Sequence, residues 1–147
     1  MSRGRRVEIM HGINLDALGR RDPAQYGTFT LTQLEVRVRE MAVDLGLEPS
    51  FSQTNHEGIF CERLHSAPEL VDGLVLNPGA WTHYSWAVRD ALEVAALPAV
   101  EVHISAVSGR EEWRQVSVIR DLCLGVVEGK GLEGYGEALA LLSDALG

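Results

Sequence analysis

Short apolar segments alternate with amphipathic segments along this chain, and the alternation restricts the possible folds more than any other feature of the sequence. The apolar segments are five predicted strands at 6–10, 47–54, 72–77, 100–105 and 122–127. The amphipathic segments are predicted helices at 30–46, 55–67, 81–96 and 132–146. Strands that are separated by helices pair in parallel, and the helices cover both faces of the sheet. We therefore predict an α/β fold, a flavodoxin-like doubly wound five-stranded parallel sheet with helices on both faces.

Polar residues and glycines mark the ends of the predicted helices. Thr30 or Thr32 can cap the first helix, and Gly46 can end it. Asn55 can cap the second helix, and Thr82 lies near the start of the third. The chain contains no repeat, linker or low-complexity segment, so we predict a single domain over 1–147.

Charge and hydropathy argue against two classes of partner. The 147 residues carry a formal net charge of -8, whereas a general nucleic-acid binder needs a basic face for phosphate contacts. No apolar run approaches the roughly 20 residues of a membrane-spanning helix, and the start lacks the apolar core of a signal peptide. We therefore expect no nucleic acid, no membrane and a cytoplasmic location. Arg3, Arg5 and Arg6 form a dense basic run that we interpret as a mobile, solvated tail.

The fourth predicted strand carries polar side chains on one of its two faces. Val100, Val102 and Ile104 share one face, because successive side chains of a strand point in opposite directions. The other face carries Glu101, His103 and Ser105. Burying an unpaired carboxylate costs several kcal/mol, so Glu101 needs a partner, and His103 is within reach. The pair either orients a catalytic imidazole or is a purely structural contact.

Polar residues also follow the other predicted strands. In a parallel sheet the ends of these strands meet at one edge, where ligands bind. The residues concerned are Asn14, Arg21, Tyr26, 55–57, Asn77, His83, His103, Ser105, Arg110 and Arg114. No glycine-rich phosphate-binding motif accompanies the strand-to-helix turns, so we expect no nucleotide cofactor.

Four histidines could meet at the same edge and hold a metal: His11, His56, His83 and His103. None of them shares a ligand-spaced motif with another, and Glu101 serves equally well as a metal-free partner of His103. We therefore expect no metal.

Four blocks of the sequence resemble the signature segments of a known enzyme family, the type II 3-dehydroquinate dehydratases. The blocks are HGINLDALGRRDPAQYG, QTNHEG, LNPGAWTHYSWAVRDAL, and EVHIS followed by REEWR. The resemblance implies a flavodoxin-like hydro-lyase of the shikimate pathway, which forms 3-dehydroshikimate from 3-dehydroquinate by eliminating water. It also implies that no cofactor is needed and that the chain assembles as a homododecamer built from trimers.

The resemblance assigns catalytic roles to five residues. Tyr26 is the implied base that takes the proton next to the ketone, and Arg21 is the cation that activates it. His103 is the implied acid that protonates the departing hydroxyl, with Glu101 orienting it. Asn14 is implied to stabilise the enolate, through a water. A phenol is a poor base at neutral pH without a nearby cation, and an enolate requires donors aimed at its oxygen.

The resemblance also implies which residues bind the carboxylate and hydroxyls of the substrate. They are Asn77, His83, the backbone of Ile104 and Ser105, and Arg114, with Asp90 reaching in from a neighbouring subunit of the trimer. An arginine such as Arg114 can grip a carboxylate with two parallel hydrogen bonds, which a lysine cannot.

The chain departs from the family pattern at a few positions. Ala106 stands where the family usually has asparagine, Ser108–Gly109 replaces a pair that often contains histidine and alanine, and Ile13 stands at a position near the first glycine that is usually proline. Trp81 and Trp86 enlarge the third block. Two alternatives therefore stay open: an enzyme of the same fold that acts on another hydroxyketone, and a non-catalytic oligomeric binder that kept the pocket.

Overall fold

A computed structural model of the chain, which describes residues 4–147, contains one five-stranded parallel sheet. The strands are β1 (Arg6–His11), β2 (Glu48–Gln53), β3 (Gly73–Asn77), β4 (Ala99–His103) and β5 (Val126–Glu128). Their order across the sheet is β2-β1-β3-β4-β5. The predicted doubly wound parallel sheet is therefore confirmed.

Four helices lie between strands, α1 (Pro23–Tyr26), α2 (Leu31–Asp44), α3 (Glu57–Leu70) and α4 (Trp86–Ala95), and α5 (Gly134–Leu146) follows β5. Helices α2 and α5 cover one face of the sheet, where Ile9, Val100 and Val102 are buried. Helices α3 and α4 cover the other face, where Met10 and Leu74 are buried. Both faces of the sheet bury apolar side chains, which accounts for the nearly continuous apolar character of β3. Within residues 4–147, no helix has the length and apolar character needed to cross a membrane.

The predicted helix ends are right at α2 and wrong at α3. Thr30 begins α2 with a capping box, since its hydroxyl accepts from the Gln33 N–H and the Gln33 side chain accepts from the Thr30 N–H. The side chain of Asn55 does not cap α3, because its Oδ1 accepts a hydrogen bond from the Asn14 N–H at 2.8 Å. His56 occupies the position before α3 without a side-chain capping bond.

Two other elements begin later than predicted. Residues Gly79–His83 form a 3-10 turn, so α4 begins only after Ser85, whose hydroxyl accepts from the Val88 N–H. Residues Arg120–Leu122 also form a 3-10 turn, which shortens the predicted fifth strand from its N-terminal side. The predicted loop over 14–28 contains both a 3-10 turn at Leu15–Ala17 and the short helix α1.

The prediction of a mobile basic tail is wrong for Arg5 and Arg6, and Arg3 lies outside the described residues. The Arg5 guanidinium donates to the Gly147 carbonyl oxygen at 2.8 Å and to the Ser143 hydroxyl at 2.6 Å. Arg6 belongs to β1 and forms an ion pair with Asp72 at 3.1 Å. These two arginines are therefore part of the folded domain.

The carboxyl ends of all five strands lie at one edge of the sheet, because every strand pair is parallel. His11 pairs in register with Gln53 on one side and with Asn77 on the other. His103 pairs with Glu128. The polar residues that follow the strands are thereby gathered at this edge.

Candidate active site

A cleft of about 520 Å³, counting its open mouth, lies at the carboxyl edge of the sheet. It is lined by Ile13, Asn14, Leu15, Arg21, Tyr26, Asn77, Gly79, Ala80, His83, His103, Ile104, Ser105, Val107 and Arg114. The lining includes every residue to which the resemblance assigned a role except Glu101 and Asp90. Residues 55–57 and Arg110, which were also predicted at this edge of the sheet, do not line it. Residues from five separate stretches of the chain therefore meet in one cavity.

The Tyr26 hydroxyl lies between two guanidinium groups. It accepts a hydrogen bond from Arg21 Nη2 at 2.8 Å and another from Arg110 Nη1 at 2.6 Å. The guanidinium of Arg21 also lies 3.7 Å from the centroid of the Tyr26 ring. The two positive groups stabilise negative charge on the phenolic oxygen and hold the buried ring in one orientation.

The local sequence explains why the chain turns at Tyr26. Asp22 caps α1 by accepting from the Ala24 N–H, and Pro23 occupies the first helical position, where its missing N–H is not needed. Gly27 ends the helix with φ at +71°, a conformation that favours glycine. The helix therefore spans a single turn and ends on Tyr26.

Arg110 contacts two residues of the site, although the sequence indicated only a place at the sheet edge and no role. Besides Tyr26, its Nη1 atom contacts the Ser105 hydroxyl at 3.1 Å. It therefore links the segment that carries Tyr26 to the end of β4. The only signal in the sequence was its position shortly after the fourth strand, because its partner Tyr26 is 84 residues away.

Glu101 and His103 form the buried pair that the strand pattern predicted. His103 Nε2 lies 2.5 Å from Glu101 Oε2, and Glu101 is fully buried. The same carboxylate accepts hydrogen bonds from the hydroxyls of Thr82 at 2.6 Å and Ser117 at 2.8 Å. Neither hydroxyl was identified from the sequence as a partner of Glu101, because both come from segments outside β4.

The hydrogen bonds keep the Glu101 carboxylate ionised. Burial alone would raise its pKa, but the bonds from His103, Thr82 and Ser117 outweigh burial, so the pKa lies below the ordinary value of 4.5. A negatively charged Glu101 favours a proton on the Nε2 atom of His103. The Nδ1 atom is then the ring nitrogen that remains for a ligand in the cleft.

His83 stacks on His103 with a distance of 6.2 Å between ring centroids. Its Nδ1 atom lies 2.7 Å from the Val116 carbonyl oxygen, which can only accept, so Nδ1 carries a proton. Burial lowers the pKa of His83, and His103 and Arg114 lower it further. The hydrogen bond to Val116 acts in the opposite direction but is the smaller effect. A neutral His83 therefore offers Nε2 as a hydrogen-bond acceptor.

Asn14 has a left-handed backbone conformation, with φ at 70°, three residues after the end of β1. Its N–H donates to the side chain of Asn55, whose Nδ2 in turn donates to Asp16 at 3.1 Å. Gln53 also donates to Asn55 Oδ1, at 3.2 Å. These contacts hold the backbone of Asn14 in a fixed conformation beside the cleft.

The remaining predicted binding residues occupy three different positions relative to the cleft. Asn77, Ile104 and Ser105 are buried in the floor of the cleft. Arg114 uses its Nε atom to pair with Glu111 at 2.5 Å and lies over the Trp113 ring at 4.1 Å, so its terminal nitrogens remain available. Asp90 is exposed on α4 and does not line this cleft.

The histidines do not gather at one point. His83 and His103 are in contact, but His11 is buried against Tyr135, and His56 is exposed at the start of α3. Within residues 4–147, no three side chains of His, Cys, Asp or Glu are placed to share a metal ion.

The positions that depart from the family pattern lie mostly outside the cleft. Ala106 is exposed beside Gly129, at which a Cβ atom would lie 3.0 Å from the Ala106 Cβ. The Ser108 hydroxyl bonds to Glu128 at 2.5 Å. Trp81 is buried against Phe60, and Trp86 is exposed. Ile13 is the member of this group that lines the cleft.

The sequence and the fold of the chain are similar to those of known proteins. A family model described as "Dehydroquinase class II" matches residues 5–143. A 3-dehydroquinate dehydratase from Syntrophotalea carbinolica is 46% identical over 143 residues, covering 97% of each chain. One from Bacillus pumilus is 48% identical over 134 residues, covering 91% of each. The crystal structure of a type II dehydroquinase from Propionibacterium acnes superposes with a TM-score of 0.91 at 38% identity, covering 98% of this chain and 99% of that one.

Proposed function

The chain belongs to the class II dehydroquinase family, and on that premise we propose that it eliminates water from 3-dehydroquinate to give 3-dehydroshikimate. The observation that carries the proposal is the Tyr26 hydroxyl, which two arginines hold in the same cleft as the Glu101–His103 pair. The cleft thus contains a candidate base and a candidate acid. The reaction needs both, because a proton leaves the carbon next to the ketone and a hydroxyl leaves the carbon beyond it.

The first step is removal of the proton by Tyr26. The phenolate oxygen forms a bond to that proton, and the electron pair of the broken C–H bond moves into an enolate. Arg21 and Arg110 stabilise the phenolate before the transfer, since both donate to the same oxygen. Asn14 lies at the rim of the cleft and stabilises the enolate oxygen, through a bridging water.

The second step is loss of the hydroxyl. The enolate collapses to a double bond conjugated with the ketone, the C–O bond breaks, and His103 gives a proton to the departing oxygen so that water leaves. Glu101 supports this transfer, because its contact with Nε2 orients the ring and leaves Nδ1 as the atom that passes the proton to the departing oxygen. Thr82 and Ser117 hold the carboxylate in place.

Substrate binding follows from the donors and acceptors that line the cleft. Arg114 and the backbone N–H groups of Ile104 and Ser105 offer donors for a carboxylate or a hydroxyl oxygen. Neutral His83 offers an acceptor at Nε2, which suits a substrate hydroxyl that donates. The combination matches a ligand with one carboxylate and several hydroxyls.

The proposal includes a homododecamer built from trimers, in which Asp90 completes the cleft of a neighbouring subunit. Its support is the exposure of Asp90 on α4, one helical turn from Trp86, which is 66% exposed. Light scattering tests the assembly, and Asp90→Ala should reduce activity without changing the helical content. A fully active monomer would contradict this part of the proposal.

The proposed cytoplasmic location rests on the sequence expectation and is tested by cell fractionation.

The direct test of the proposed reaction is mixing the purified protein with 3-dehydroquinate. Absorbance of the conjugated product should rise in the absence of added metal or cofactor. Failure to turn over 3-dehydroquinate, together with turnover of another hydroxyketone, would assign a different substrate to the same fold. Binding without any turnover would identify a non-catalytic binder.

A further inference from the structure

A buried hydrogen-bond chain lies behind the cleft and takes no part in the steps described above. The Nδ2 atom of Asn77 donates to the Tyr135 hydroxyl at 3.1 Å, and that hydroxyl lies 2.9 Å from His11 Nε2. His11 and Tyr135 are fully buried, and Asn77 is 4% exposed. Of the three, Asn77 is the residue that lines the cleft.

The contacts fix the orientation of the Asn77 carboxamide. Its Oδ1 atom accepts a hydrogen bond from the Gly79 N–H at 3.2 Å, so the nitrogen of the amide is the atom that faces Tyr135. A rotation that exchanged the two atoms would place an NH₂ group against the Gly79 N–H, and donors repel each other. One N–H of the amide is used by Tyr135, and the second remains.

The same contacts fix the direction of the chain beyond Asn77. The Tyr135 oxygen accepts from Asn77, so its own proton goes to the remaining neighbour, His11 Nε2. Burial lowers the pKa of His11 to about 3, so the ring is neutral and Nε2 can accept when the proton is on Nδ1. Burial also raises the pKa of Tyr135, which therefore keeps its proton. Among residues 4–147, the Nδ1 atom of His11 has no hydrogen-bond partner.

We propose that Tyr135 and His11 are positioning residues that hold Asn77 as a hydrogen-bond donor toward an acceptor oxygen of the substrate. The inference rests on the proposed function and adds to it a direction of hydrogen bonding at one subsite. Asn77 offers its second Nδ2–H to the ligand, and one lone pair of its oxygen accepts from the Gly79 N–H. The group opposite the free Nδ2–H is therefore an acceptor, such as a carboxylate oxygen or a hydroxyl oxygen.

The first experiment measures the His11 tautomer and needs no activity. ¹⁵N NMR of protein labelled at histidine, with His11→Gln to assign the signals, should show His11 protonated on Nδ1 and unprotonated on Nε2 at neutral pH. A proton on Nε2 would reverse the direction of the chain and overturn the proposal. Because this measurement is independent of turnover, its result stands even if 3-dehydroquinate is not the substrate.

The second experiment compares Tyr135→Phe with the wild type in steady-state kinetics. The variant keeps the buried ring and removes the hydroxyl, so KM should rise roughly 3- to 10-fold while kcat changes less than about twofold. The control is Leu142→Val, a buried position two turns further along the same helix that does not line the cleft, and its KM should not change. An unchanged KM in Tyr135→Phe would contradict the positioning role.

A matched pair of variants at His11 extends the test. His11→Gln retains an acceptor that can take the Tyr135 proton, whereas His11→Leu removes it. KM should stay within about twofold of the wild type in the first variant and rise roughly 3- to 10-fold in the second. Equal KM values in the two folded variants would show that the acceptor at His11 has no role in binding. If a variant does not fold, the tautomer measurement decides the question.

Discussion

Arg110 donates a hydrogen bond to the hydroxyl of Tyr26 at 2.6 Å, although 84 residues separate them in the sequence. Arg21, on the same segment as Tyr26, donates to that hydroxyl from another side at 2.8 Å. The phenolic oxygen therefore has one local partner and one distant partner. Arg110 also contacts Ser105, so the proposed base is connected through one arginine to the segment that follows β4.

Tyr26→Phe tests the proposed base. The variant keeps the ring in its buried position and removes the oxygen that takes the proton. We expect kcat to fall by roughly 10² or more, with little change in KM, because the lost interaction acts mainly in the transition state. The control is Tyr84→Phe, since Tyr84 is exposed and does not line the cleft. Retention of most of the rate in Tyr26→Phe would exclude Tyr26 as the base.

Arg21→Ala and Arg110→Ala test the two cations separately. Each removes one positive charge from the phenolic oxygen, so each should lower kcat by roughly 10- to 100-fold. Their effects should not be additive, because both act on one atom. Arg120→Ala, an exposed arginine outside the cleft, serves as the control. An unchanged kcat in Arg110→Ala would mean that Arg110 does not support the proposed base.

Glu101→Gln tests the partner of His103. Glutamine has nearly the same shape but no negative charge to hold the Nε2–H of His103, so the ring is less well oriented and kcat should fall by roughly 10². Thr82→Val and Ser117→Ala each remove one hydrogen bond to the carboxylate and should have smaller effects, roughly 3- to 10-fold. The measurement is kcat of the three variants, which should be lowest for Glu101→Gln. An effect of Thr82→Val as large as that of Glu101→Gln would point to lost packing rather than lost charge.

The stability of the protein should depend on pH through His11. Its pKa is about 3 in the folded protein and 6.5 ordinarily, so between these values the unfolded chain binds the additional proton. Stability is therefore lost as the pH falls below 6.5. The free energy of unfolding should drop by about 1 kcal/mol between about pH 6 and pH 5 from this group. His11→Gln should flatten this dependence in denaturant unfolding at one fixed protein concentration.

Ala106→Asn tests whether the departure from the family pattern changes the reaction. Ala106 is exposed beside Gly129 and does not line the cleft, so an added amide can only brace the turn after β4. We expect kcat/KM for 3-dehydroquinate to change by less than about threefold and stability by about 1 kcal/mol at most. A large gain in turnover would show instead that the missing amide helps to place His103 and Ser105.

Contacts within one element could be predicted from the sequence. The alternation of strands and helices indicated the sheet, and the twofold period of a strand placed Glu101 and His103 on one face of β4. Thr30 was identified as a cap because a capping box is a local pattern. The resemblance in four blocks indicated the family, which the comparisons confirm.

Contacts between elements could not be predicted in the same way. Thr82 and Ser117 meet Glu101 only after a 3-10 turn delays the start of α4. The cap expected at Asn55 was wrong because a distant backbone N–H, that of Asn14, takes its side-chain oxygen. Such hydrogen bonds join residues that are distant in the sequence and form only when the elements pack together. The spacing of residues along the chain therefore does not predict them.

Tyr135 lies on α5, which is synthesised after all the strands of the sheet. Asn77 leaves the ribosome 58 residues before Tyr135, and α5 follows every other element of the sheet and its helices. Until α5 docks, the floor of the cleft lacks the hydroxyl that orients Asn77, and the core between β3, β4 and the helix stays open. Substrate therefore has no completed site to bind on the nascent chain, and it can stabilise the fold only after synthesis has passed α5.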